Sequence, residues 1–239
     1  MTLNRSILTV VLALTLGLAT IARGQTPFHD AAYGFSLTLP KGWSVAPPEV
    51  TSAAEQFASQ NTPNKKFRYF GSLMKIGTAD EPEGLIVLQH TPENMSKVSL
   101  KDFEREFKKM NAAELTKKVG EKSGGTQGFG IDGISVDMSR PRCTMTGMVS
   151  TDDGPQKVLM VVYPCPTGFI QLNCYWDPKD DSKMRPEMDA IANTFAFDAG
   201  REWVPSTSSG SAYSYGRTGG VIGLGVVLLV WIGRKVAGK

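Results

Sequence analysis

The run CTMTGMVS (143–150), DDG (152–154), QKVLMVVY (156–163), TG (167–168) and FIQLNCY (169–175) decides the architecture. Three strand-forming segments follow one another, and the gaps carry turn signals with no helix-length connection. Strands joined by tight turns pair antiparallel, because parallel neighbours need a crossover of about a dozen residues or more. Just upstream, Ile134, Val136 and Met138 alternate with polar residues. The whole stretch from Lys117 to Tyr175 therefore reads as strand after strand.

Working outward, FSLTL (35–39) alternates apolar and polar side chains and stops at Pro40, Lys41 and Gly42. WSV (43–45) is a short second strand, and residues 67–76 and 85–89 read as two more. Ser52 and Glu55 form a capping-box pattern that predicts a helix to about Gln60. Ser99 caps a stronger one, in which Leu100, Phe103, Phe107 and Met110 share a face while Glu104 and Lys108 form an i,i+4 pair. A last helix is expected over residues 182–194, with Pro186 in its first turn and Met184, Met188 and Ile191 on its buried side. The sum is an α+β domain, an antiparallel sheet flanked by helices.

The two ends differ from this centre. Residues 7–21 are uncharged, follow Arg5 and precede Ala22-Arg23-Gly24, a pattern that predicts a signal peptide over residues 1–24. A second uncharged run, residues 219–233, includes Trp231 and is closed by Arg234 and Lys235. As a helix it measures about 22 Å against a hydrocarbon core of about 30 Å, so Arg234 and Lys235 must snorkel outward. The expected organisation is an exported domain (25–199), a flexible stem (200–217), a transmembrane helix (218–235) and a cytoplasmic tail (236–239). This places a single-pass protein in the cell membrane with its domain outside. Gly219, Gly220 and Gly223, with Gly216, supply GxxxG spacings that would let two anchors approach closely as a weak homodimer. Gly219-Gly220 before an apolar run and basic residues also resembles a Gly-Gly-type sorting tail, whose helix would be cleaved.

The formal charge of +3 suggests nucleic acid, but its distribution excludes it. Arg5, Arg23, Arg217, Arg234, Lys235 and Lys239 lie in the terminal segments, and without these six charges residues 25–205 carry −3. The hairpin pattern puts Cys143 and Cys165 on one sheet face, where a disulfide between them is conceivable, with Cys174 on the other; three buried thiols acting as small hydrophobes are an equal alternative. Cys165 lies between Pro164 and Pro166, a rigid turn that suits an exposed thiol. Gly128, Gly130 and Gly133 spell GxGxxG, but a strand pattern follows where a cofactor loop requires a helix. His29 and His90 have no metal-ligand spacing, and Asp177, Asp180 and Asp181 suit a helix N-terminus. No cofactor, metal or catalytic residue is expected.

The segment Tyr33-Gly34-Phe35 through Pro40 to Gly42-Trp43 resembles the opening of the PsbP-like superfamily, and Thr194-Phe195 after the last helix resembles its close. That superfamily includes the extrinsic photosystem II protein PsbP and bacterial exported DcrB-like proteins. The resemblance implies an α/β/α sandwich and a non-enzymatic domain that supports a larger assembly; an anchored C-terminus departs from the family's soluble or lipid-linked members. The leading expectation is a non-catalytic, membrane-anchored domain binding another envelope component. The alternative is an enzyme or small-ligand carrier with a site assembled in space. A pocket lined by His29, His90 or a cysteine would favour the alternative, and a filled interior would favour the first.

Overall fold

The structure, a computed structural model, describes residues 24–61, 66–77, 82–122, 129–151 and 154–207. Residues 1–23 of the expected signal peptide, the expected anchor residues Gly219, Gly220, Gly223, Trp231, Arg234 and Lys235, and Asp152 and Asp153 of the expected hairpin turn lie outside them. Among the described residues no helix is long and apolar enough to cross a membrane.

Seven strands form the larger sheet: β3 (Trp43–Val45), β4 (Arg68–Ile76), β5 (Pro82–Pro92), β6 (Phe129–Asp137), β7 (Arg142–Thr151), β8 (Gly154–Cys165) and β9 (Gly168–Trp176). Their order is β3-β4-β5-β9-β8-β7-β6 and every neighbouring pair is antiparallel. Thr151 pairs with Gly154, which leaves two residues for the β7–β8 turn, and Cys165 pairs with Gly168 across the β8–β9 turn. A smaller antiparallel sheet, β1-β2-β10, joins β1 (Thr26–Asp30), β2 (Phe35–Leu39) and β10 (Ala196–Phe197). The expected α+β class and antiparallel sheet are present.

Side chains alternate across the sheet, so each strand feeds two cores. One face carries Leu73, Ile86, Leu88, Val161 and Leu172, covered by β2 and by Met184, Met188 and Ile191 of α4 (Asp181–Asn193). The other carries Leu85, Val87, Met160 and Tyr175 beneath three helices: α1 (Pro48–Asn61) with Val50 and Ala54, α2 (Leu100–Lys108) with Phe103 and Phe107, and α3 (Ala112–Lys122) with Leu115. Burying each Leu, Ile, Val or Phe side chain contributes about 1.5–3 kcal/mol. The helical face also holds a buried polar row: Gln89 donates to Thr91 (3.1 Å), Asn173 to Gln89 (3.3 Å) and Gln171 to Asn173 (2.5 Å).

Several elements differ from expectation for identifiable reasons. α1 starts at Pro48 and not at Ser52, since proline suits a first helical position whose N–H has no partner anyway. α3 occupies residues expected to begin the strand run; Asn111 starts it by accepting the Ala113 and Glu114 amides at 2.9 and 3.2 Å. β1, which no sequence pattern announced, carries His29 at a sheet edge where Pro27 needs no ladder bond. α4 opens at Asp181, which moves Pro186 into its second turn. Ser99 caps α2 as expected, with Asp102 completing the reciprocal bonds.

The cysteine reading requires a correction. Cys143 pairs with Val162, an odd number of residues from Cys165, so Cys143 and Cys165 project from opposite faces. All three cysteines are free and buried. Residues 203 and 206, expected to lie in a flexible stem, are held against the domain. Trp203 is buried against Phe103, its indole N–H donates to the Met95 carbonyl (3.2 Å), and the Ser206 amide bonds Val98 (2.9 Å).

Candidate functional site

At one end of the larger sheet β4 begins, β5 finishes and the β8–β9 hairpin turns. Gly168 fits this hairpin against β5. Its φ of +138° is unfavourable for side-chain-bearing residues, and a Cβ there would overlap the Thr91 carbonyl oxygen and the Glu93 amide. The Glu93 N–H donates to the Thr167 carbonyl at 3.0 Å and seals the join. Thr167 therefore stands beside β5, its hydroxyl 3.3 Å from His90 Nε2 and 3.5 Å from Cys165 Sγ.

The turn between β1 and β2 closes over this end. Asp30 accepts the Tyr33 amide on its side chain and the Gly34 amide on its carbonyl, both at 2.8 Å. The Tyr33 ring then packs on Phe70 (4.1 Å between centroids) and on His90 (4.8 Å). Gly34, at φ +63°, leaves room for the Arg201 stem, which a Cβ would meet at 2.7 Å. Asp198 donates its amide to the Gly34 carbonyl and accepts the Arg201 amide on its own carbonyl, both at 2.9 Å.

The result is a cleft of about 570 Å³ whose walls include Tyr33, Phe67, Pro92 and Pro166 and whose cations are Lys66, Arg68 and Arg201. No carboxylate lines it among the described residues. Neighbouring acids have other partners: Asp30 holds the turn, Glu55 accepts the Tyr69 amide at 3.0 Å, Glu93 accepts the Asn94 amide at 3.4 Å and Glu202 accepts the Gly200 amide at 2.8 Å. Burial, then Asp30, raises the Tyr33 hydroxyl while Arg68 opposes them. Burial also raises the Cys165 thiol despite hydrogen bonding by Thr167 and Gly168, and lowers His90. At neutral pH the cleft thus presents a protonated thiol and a neutral imidazole, not a thiolate–imidazolium pair. It has strong donors and hydrogen-bonding groups but no activated nucleophile.

The residues singled out from sequence are brought together only in part. His90 and Cys165 share the cleft, and Cys165 is 4% exposed, so the Pro-flanked turn does not present an exposed thiol. His29 lies apart, paired with Asp198 at 3.0 Å. Gly130 and Gly133 are in β6, as the strand pattern required; Gly128 lies outside the described residues. Asp177 caps a 3-10 turn (Pro178–Asp180), and Asp181 accepts the Trp176 indole N–H at 2.9 Å. Among the described residues no group of three or more His, Cys, Asp or Glu side chains is placed to hold a metal ion. Lys66, Arg68, Thr167 and Arg201 were missed. They come from three separate segments, and no sequence spacing links them.

No family model matches the chain, and no curated protein sequence matches it. Solved structures similar to it include two from bacteria. The solution structure of cyanobacterial PsbP (CyanoP) from Synechocystis sp. PCC 6803 is 12% identical, with 73% of this chain and 92% of that chain covered and a TM-score of 0.47. The crystal structure of LpqN, involved in cell envelope biogenesis of Mycobacterium tuberculosis, is 17% identical, with 73% and 90% covered and a TM-score of 0.39. At these TM-scores the description of the fold rests on this chain's own elements.

Proposed function

We propose that the protein is a non-catalytic, membrane-anchored exported domain that binds another envelope component, and that the cationic cleft is its binding site. The observation that carries this reading is the state of the cleft: among the described residues three cations face no lining carboxylate, while its thiol and imidazole are held in unreactive forms. The PsbP-like opening at residues 33–43, now seen to form the Tyr33 turn and β2–β3, supports a supporting role over a catalytic one. The apolar ends of the chain support export and tethering.

A photo-crosslinking residue placed at Arg68 in the full chain, in membranes of its own host, should give a discrete adduct. The same residue at Lys183, on the far end of the sheet, should give none. Equal labelling at both positions, or release of the full-length protein by alkaline carbonate, would overturn the proposal.

A further inference from the structure

We infer that the cleft between the β1–β2 turn and the β8–β9 hairpin binds a phosphate monoester carried on an apolar or aromatic body. The inference deepens the binding role proposed above and rests on that reading. A volume of about 570 Å³ falls within the 300–1,000 Å³ typical of small-molecule sites. Lys66, Arg68 and Arg201 line it, and none has an ion-pair partner among the described residues.

Such a concentration of unmatched positive charge suits a group with more than one negative charge. Two guanidinium forks can each engage two phosphate oxygens, while an ammonium supplies a further point charge. Thr167 adds a hydroxyl positioned by His90 and Cys165, which can donate to the ester in the His90 tautomer that carries its proton on Nε2. The remaining walls are not built for an inorganic ion. Tyr33, Phe67, Pro92 and Pro166 provide apolar and aromatic surface next to the cations. Tyr33 is itself backed by Phe70, so its ring is a fixed wall. An inorganic phosphate would leave that surface unused, whereas an ester places its organic part there.

Elsewhere the same sheet shows what matched cations look like. Lys75 bonds Glu187 at 2.7 Å and lies 3.6 Å from Glu83, and Lys183 bonds Glu83 at 2.8 Å. There, carboxylates from the fold itself fill the place that the cleft leaves for a ligand.

The test is calorimetric titration of the full chain in a non-ionic detergent with phenyl phosphate, inorganic phosphate and benzoate. Phenyl phosphate is expected to bind saturably at one site and to weaken as salt is raised. Loss of one charge-assisted contact in Arg68→Ala or Arg201→Ala should weaken it about tenfold or more. Lys183→Ala should leave it unchanged. Arg68→Lys, which keeps the charge but not the fork, covers the case in which the alanine variant does not fold, and should fall between wild type and Arg68→Ala. Inorganic phosphate and benzoate should each bind more weakly than phenyl phosphate. Competition by detergent-embedded phosphatidic acid would assign the ester to a lipid headgroup; competition only by a soluble aryl or sugar phosphate would assign it to a free metabolite. Absence of saturable binding, binding insensitive to Arg68→Lys and Arg201→Ala, or benzoate binding as tightly as phenyl phosphate would overturn the inference. Titration needs no protein partner, so it can fail while crosslinking succeeds, and the reverse.

Discussion

The two ends of β4 carry the same kind of side chain in opposite circumstances. Arg68 opens the strand and Lys75 lies near its close, about 23 Å away at about 3.3 Å per residue. At the Lys75 end, Glu187 also accepts the Trp43 indole N–H at 3.0 Å, so α4, β3 and β4 are tied through one carboxylate. At the Arg68 end the cations have aromatic and hydroxyl neighbours but, among the described residues, no lining carboxylate. The fold neutralises charge where it needs to hold its layers together and leaves charge unmatched where a hollow remains. The composition of either cluster would not reveal this difference; it depends on which strand ends are brought beside which helix.

The largest effect expected from breaking this contrast is at Gly168. Gly168→Ala combines a positive φ with overlap against β5, and should cost about 3 kcal/mol or more, or roughly 6–12 °C in Tm. Urea unfolding and calorimetry check this, and phenyl phosphate binding should fall with it, because the Thr167 wall moves. Unchanged stability would mean that the hairpin does not close on β5 as described. At the other end, Glu187→Ala should cost about 2 kcal/mol, less than a fully buried pair because Glu187 is 26% exposed. The double variant Lys75→Met/Glu187→Met should recover most of that loss, since it strands no charge. Neither should alter anion binding.

The smallest effect separates the ends by pH. Burial lowers His90 below its ordinary 6.5, so folding favours the neutral ring; its contribution is present above 6.5 and is lost as pH falls through the lower folded value. Protonation would set its charge beside Arg68, its cross-strand partner, with Tyr33, Thr167 and the Cys165 thiol around it. Glu83 is lowered below its ordinary 4.5 chiefly by its bond from Lys183, so its contribution is present above 4.5 and disappears at more acid pH. The urea midpoint should therefore soften first through the cleft end and later through the ion-paired end. His90→Gln should flatten the first part of the profile and Glu83→Gln the second. If both variants flatten the same part, the two ends are not energetically distinct.

Much of the fold was legible because its signals are local. The alternation of FSLTL predicted β2 to the residue, and the Ser99 cap predicted the start of α2. What could not be read depended on pairing. Gln171 and Asn173 alternate with apolar residues as though facing water, yet they are 2% and 0% exposed because the β5 row of Gln89 and Thr91 satisfies them. The Cys143 face was misassigned because a one-residue change of register moves a side chain across the sheet. For the site, His90 and Cys165 were noticed as isolated residues. No sequence pattern marks Arg68 or Arg201, and only the meeting of two turns with a strand end brings them to one cleft.

The strap from Asp198 to Ser206 crosses from one core to the other, contacting the cleft with Arg201 and plugging the helical layer with Trp203. If the chain beyond it is anchored as proposed, tension on the tether reaches the indole first and the Arg201 guanidinium two residues later. Mechanical load at the membrane would then loosen the ligand's grip before it unravels the sheet.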